Sequence, residues 1–262
     1  MSDRDWAILR SVGGHRFLTV SQIHALHFTE LRPGSSLRIA QRTLSRLREL
    51  GLLGTLDRRV GGVRAGSAGL VHYVDGDGER LLRAESGQRM RRHLTDPSET
   101  FLKHTLAVAD AHVSLADAHR NAELELLTYQ AEPAAWRPYV GMGGARLTLK
   151  PDMYAETAPS IGSEYLDGWF IEVDLATESI PRLIKKSRDY EAYRRTGIEQ
   201  DGNDGAFPQI IWSITAKDPA KAERRRNALR DAIDRDRGLP SKLFHIIAPD
   251  ELIELMRAGG VV

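Results

Sequence analysis

Three carboxylates are spaced so that they could hold a divalent cation. Asp152 lies in Lys150-Pro151-Asp152-Met153-Tyr154, and Glu172 and Asp174 lie in Gly168-Trp169-Phe170-Ile171-Glu172-Val173-Asp174. Side chains on a strand alternate between faces, so Glu172 and Asp174 point one way while Ile171 and Val173 point the other. An apolar face on the core and an acidic face on a cleft suit a metal site. If the segments bearing Asp152 and Glu172 pair, three carboxylates converge, which hard, oxygen-preferring ions such as Mg²⁺ or Mn²⁺ require. The same spacing also fits an ordinary half-exposed strand.

The elements around these residues read as a mixed sheet with flanking helices. Strands are expected at 124–129, at 145–156 carrying Asp152, at 169–175, at 207–215 as an apolar central strand, and at 242–247. Helices are expected at 177–195, 220–234 and 249–257, with Thr177 or Ser179 as cap and Pro181 in the first turn, where its missing N–H is harmless. That order suits a sheet covered by helices. Lys185 or Lys186, on the helix after Asp174, could supply a cation to the acidic group. Pairs four apart project together, so Lys186 goes with Tyr190 and Lys185 with Asp189. Lys185 is preferred, about two turns into that helix. Tyr190 and Tyr193 are candidate nucleophiles in a variant mechanism.

The chain before these elements is of opposite charge. Net charge is +1 over 262 residues, yet residues 1–100 carry 16 Arg, no Lys and 11 Asp or Glu. This asymmetry points to a nucleic-acid-facing first part, and arginine suits bidentate phosphate or guanine contacts. Short helices are expected at 3–11 and 19–26, with a turn at 32–35. Residues 36–50 place Leu37, Ala40, Leu44, Leu47 and Leu50 at helical spacing, closed by Gly51. Arg38, Arg42 and Arg46 step by four along the opposite face, as on a recognition helix in a major groove. Strands at 52–56 and 70–74 then bracket a Gly- and Arg-rich tip with Arg58, Arg59 and Arg64, which reads as a wing on the phosphate backbone. The partner implied is double-stranded DNA. A helical protein-interaction module with a solvated arginine face is the alternative. The winged-helix reading allows a homodimer on a palindromic site.

The expected division is a winged-helix domain at 1–95 and an α/β domain at 96–262, the latter including a bridging helix at 99–121. His104 and His112 on that helix would stand roughly 12 Å apart, too far to share one ion. There are no cysteines, so neither disulfides nor thiolate zinc sites arise. No run of 18 apolar residues suggests a membrane span, and no secretory leader is evident; a cytoplasmic location is expected. No Walker A sequence and no G-x-S-x-G elbow occurs.

Pro151-Asp152 and Glu172-Val173-Asp174, with 19 residues between Asp152 and Glu172, make the second part resemble the restriction-endonuclease-like, or PD-(D/E)xK, core. That resemblance implies that the acidic residues hold a metal and that a lysine supports the attacking water. Asp174 stands where that motif has its lysine. The whole chain, over roughly 3–250, also resembles the plasmid replication-relaxation family. The residues carrying this are His104-x-Leu106-Ala107-Val108-x-Asp110, Pro151-Asp152, Glu172-Val173-Asp174-x-x-Thr177-Glu178, Lys185 and Tyr190. The fold class expected is α+β, an N-terminal winged helix-turn-helix followed by a mixed-sheet restriction-endonuclease-like α/β domain. The function implied is a DNA-binding protein of a bacterial mobile element, acting in plasmid replication or transfer. On one reading it is an Mg²⁺- or Mn²⁺-dependent nickase or endonuclease using Asp152, Glu172, Asp174 and Lys185. On the other it is a non-catalytic regulator or replication accessory protein with a degenerate nuclease fold.

Overall fold

A computed structural model describes residues 1–59, 69–87 and 97–260. The chain divides into two compact units, Met1–Val113 and Ser114–Val262.

In the first unit, α1 (Asp3–His15) starts at Ser2, whose hydroxyl accepts from the Asp5 N–H while Asp5 accepts from the Ser2 N–H. This reciprocal pair satisfies two donors that a helix start leaves unpaired. After β1 (Leu18–Thr19), Thr19 and Gln22 repeat the device at α2 (Val20–His27). The third helix, α3 (Pro33–Glu49), starts earlier than expected, because proline at a first helical position is already set for helix. Ala40, Leu44 and Leu47 are buried with Ile8, Leu9, Val12 and Ile23, whereas Leu37 and Leu50 stay exposed. Gly51, at φ +67, takes the left-handed turn that ends α3. Strands β2 (Leu53–Arg59) and β3 (Leu70–Val74) pair antiparallel, and β1 joins the free side of β3. The two-residue β1 was not anticipated from sequence. Helix α4 (Gly76–Ser86) follows.

Helix α5 (Glu99–Arg120) spans the division. Its first half belongs to the first unit, so the division falls inside the helix and not at 95/96. Leu102 and Leu106 pack with Phe17, Leu56 and Val71, and Ala109 joins the α1–α3 core. The Gln22 side-chain amide donates to the Leu106 carbonyl at 2.8 Å and to Asp110 at 2.6 Å.

The second unit is built on β4 (Glu125–Ala131), a hairpin of β5 (Arg137–Val140) and β6 (Arg146–Leu149), β7 (Met153–Ala158) and β8 (Asp167–Asp174). Helices α6 (Ile180–Arg194) and α7 (Ile198–Gly202) then lead to β9 (Gln209–Ile214), α8 (Pro219–Arg235), β10 (Phe244–Ile247) and α9 (Leu252–Arg257). The five-stranded sheet runs β10-β9-β8-β7-β4. β10, β9 and β8 are parallel, while β8–β7 and β7–β4 are antiparallel. The central strand is thus β8, with the apolar β9 beside it. The stretch 145–156 forms two strands, not one. Pro151 interrupts it, since a proline cannot donate to a ladder, and Asp152 sits at the mouth of β7. On one sheet face Phe170, Ile210, Trp212 and Ile214 pack with Leu183 and Tyr190 of α6 and Leu229 and Ile233 of α8.

Candidate functional site

Sheet direction decides where the acidic residues meet. Because β7 runs antiparallel to β8, the start of β7 and the end of β8 lie at one sheet edge, the carboxyl edge of the parallel pair β8–β9. Asp152 is bound there: its Oδ2 accepts from the Val173 N–H at 2.8 Å. Glu172 is level with Trp212, and Asp174 with Ile214. The Glu172–Asp174 face is not an open cleft wall. It is the face that α6 and α8 cover, and Glu172 and Asp174 are buried.

Two cations enter this face from the helices. Lys186 of α6 donates to Glu172 Oε2 and stands 3.7 Å from Asp152 Oδ1. One helical turn on, the Tyr190 hydroxyl donates to Glu172 Oε1 at 2.5 Å. Lys186 Nζ also lies 6.0 Å from the centre of the Trp212 ring, within cation–π range. Arg225 of α8 donates from Nε to Asp174 Oδ2, and Asp174 Oδ1 accepts from the Ala176 N–H at 3.1 Å. Ala176 itself takes φ +59, an uncommon value for a residue with a Cβ.

Several expectations are corrected by this geometry. Lys185 is not at the acidic group; it points to solvent and pairs with Asp189 at 3.2 Å. Lys186 occupies the place assigned to it. Asp152, Glu172 and Asp174 do not gather around one point, and among the described residues no set of three or more His, Asp or Glu side chains forms a metal-holding group. Residues two apart on a strand are separated by roughly 7 Å, and here each finds its own cation. Tyr190 and Tyr193 are buried, and their hydroxyls are committed to Glu172 and Glu199, so neither is placed to attack. Arg225 was missed, lying 51 residues from Asp174 in sequence; Trp212 was read only as part of an apolar strand.

Burial sets the electrostatics. Glu172 is pushed from the ordinary 4.5 up to about 8 by burial, with Lys186 pulling down and Asp152 adding to the rise. For Lys186, burial works downward, but Glu172 and Asp152 outweigh it and hold the ammonium charged well above the usual range. Burial, then the Glu172 charge, raises Tyr190 well above 10.

In the first unit, Arg38 and Arg42 are exposed and have no ion-pair partner among the described residues. Arg46 differs: its guanidinium donates to the buried Asp5 at 2.6 Å. Arg58 and Arg59 lie on β2, where only the backbone is described, and Arg64 falls outside the described residues. His112 Nδ1 meets His15 Nε2 at 3.0 Å, within the first unit.

The family model described as replication-relaxation matches residues 9–210. The chain belongs to that family. No curated protein sequence matches the chain. The structure of restriction endonuclease FokI bound to DNA aligns with the replication-relaxation chain at 11% identity and a TM-score of 0.24. That alignment covers 97% of this chain and 66% of the endonuclease, so the chain spans just under two thirds of its length. A likeness at that level carries no argument about the site. No described helix of the replication-relaxation chain is long and apolar enough to cross a membrane.

Proposed function

We propose that this replication-relaxation chain binds double-stranded DNA in plasmid replication or transfer and cuts one strand in a divalent-ion-dependent reaction. The first unit, read as a winged helix, docks the duplex through Arg38 and Arg42 on α3, with the basic β2–β3 segment alongside. The second unit, read as a restriction-endonuclease-like core, carries the chemistry.

One observation supports this reading most: Lys186 reaches both Asp152 and Glu172. An Asp, a Glu and a Lys thus meet at one sheet edge although Asp174 stands where the E-x-K pattern places its lysine. The donor chemistry fits a hard ion. Mg²⁺ is held by one or two carboxylates together with phosphate oxygens and water, which Asp152 and Glu172 can provide and the arginine-paired Asp174 cannot. When bound, such an ion polarises the scissile phosphate and acidifies a coordinated water. Asp152 is fixed for this by the Val173 N–H, and Tyr190 orients Glu172. With such an ion held by Asp152 and Glu172, Lys186 would be free to turn its charge to the phosphate, where negative charge develops. Supercoiled plasmid with Mg²⁺ or Mn²⁺ tests the reading. Nicking by the native chain that disappears in Asp152→Ala and Lys186→Ala supports it; equal nicking by all three preparations marks a contaminant and removes it.

A second reading rests on a different observation. Both oxygens of Glu172 are already engaged and its side chain is only 1% exposed, which suits a closed structural cluster in a non-catalytic DNA-binding protein. Calorimetry that detects no divalent-ion uptake favours it.

A further inference from the structure

The carboxyl edge of β8 and β9 carries a cation that the reaction just described does not use. Arg225 donates Nε to Asp174, the last residue of β8. Its neighbour Arg226 donates to the carbonyl of Ile214, the last residue of β9, at 3.0 Å. Helix α8 therefore lays two successive guanidinium groups across the ends of the two parallel strands.

Arg225 is only partly satisfied. Nη2 is enclosed and, among the described residues, has no hydrogen-bond acceptor, while the side chain keeps 12% of its surface exposed. Buried guanidinium donors nearly always find acceptors. Asp174 meets the guanidinium through Nε alone: its Oδ2 accepts from Nε, and its Oδ1 accepts from the Ala176 N–H at 3.1 Å. That leaves Nη2 open to an acceptor from a ligand, and the planar fork of arginine matches a phosphate group.

We propose that Arg225, positioned by Asp174, binds a backbone phosphate of the nucleic acid at the edge that bears Asp152 and Glu172. Asp174 then serves as a positioning residue in the place where the resembling motif has a lysine, and it brings in its cation from α8. This deepens the nuclease reading and rests on it for the identity of the ligand, a phosphodiester. The guanidinium shifts by a side-chain rotation, keeps one N–H on Asp174 and offers Nη2 to a phosphate oxygen; no bond is made or broken.

The test uses the full chain with Arg38→Ala and Arg42→Ala, so that contacts from the first unit are reduced. Affinity for a short duplex is measured by fluorescence anisotropy across a range of salt. Each phosphate contact contributes roughly 0.9 to the slope of log K against log salt. Asp174→Asn with Arg225→Gln, which removes both charges together, is expected to lower that slope by about 1, whereas Asp174→Asn alone keeps it. An unchanged slope in the double variant overturns the proposal. If the double variant does not fold, the native chain decides. The arginine Nε–Hε resonance that vanishes in Arg225→Lys should shift when duplex is added, and a resonance that stays in place rejects the contact. Nicking is scored separately. A chain that never nicks yet loses the slope keeps the phosphate contact and loses the hydrolytic reading; one that nicks with an unchanged slope does the reverse.

Discussion

Lys186 and Tyr190, one helical turn apart on α6, grip opposite oxygens of the Glu172 carboxylate. The grip makes a lysine on a helix a neighbour of a glutamate on the central strand, and it separates the two adjacent lysines by role.

Lys186→Ala is expected to lower plasmid nicking by at least a factor of roughly 10², the scale of losing one charge-stabilising donor. Lys185→Ala, whose target is an exposed ion pair with Asp189, should leave nicking and melting temperature within error of native, since such pairs contribute little. A plasmid assay on the two variants side by side decides; equal losses would remove Lys186 from its assigned role.

Ion uptake should follow two carboxylates and not three. Titration calorimetry with Mn²⁺ is expected to show binding that Asp152→Asn abolishes and Asp174→Asn preserves. Loss in both variants would mean that Asp174 leaves Arg225 to join the ion.

Glu172 makes stability depend on pH. Its folded pKa, raised by burial from 4.5 to about 8, means that between those values the folded chain holds a proton that the unfolded chain has lost. The contribution is therefore complete below about 4.5 and declines as pH rises to about 8, by at most roughly 1.4 kcal/mol per pH unit. Lys186 is charged in both states over this window and adds no slope. Glu172→Gln should melt with a flatter pH profile and gain on the native chain from pH 5 to pH 8. A parallel profile would contradict the raised value.

The three α3 arginines should divide into two kinds. Arg38→Ala and Arg42→Ala are each expected to reduce the salt slope of duplex binding by about 1 with no change in melting. Arg46→Ala removes the partner of Asp5, a buried carboxylate that also caps α1, and so should lower the melting temperature. Thermal melts and anisotropy on the same samples separate the two effects.

Much of this was legible in the sequence. The leucine stripe of α3, the two acidic motifs and the succession β8, α6, β9, α8, β10 and α9 follow from periodicity and local chemistry. The choice between Lys185 and Lys186 was also readable. Leu183, Tyr190 and Tyr193 mark the buried stripe of α6, and Lys186 falls three after Leu183 and four before Tyr190, on that stripe. Pro151 likewise signalled the break between β6 and β7. Arg225 could not be found this way, because only the parallel pairing of β8 and β9 carries α8 to the end of β8. The burial of Glu172 was hidden for a similar reason: alternation tells which side chains share a face, not which face a helix will cover.

The side chain of Gln22 closes the cap of α2 and also holds the Leu106 carbonyl of α5. A fragment ending at residue 95 would lose Leu102, Leu106 and Ala109, leaving a greasy trough where α5 had lain and an amide with nothing to bind. Dissection of the protein for separate expression therefore belongs beyond Val113, with the first half of α5 kept on the amino-terminal piece.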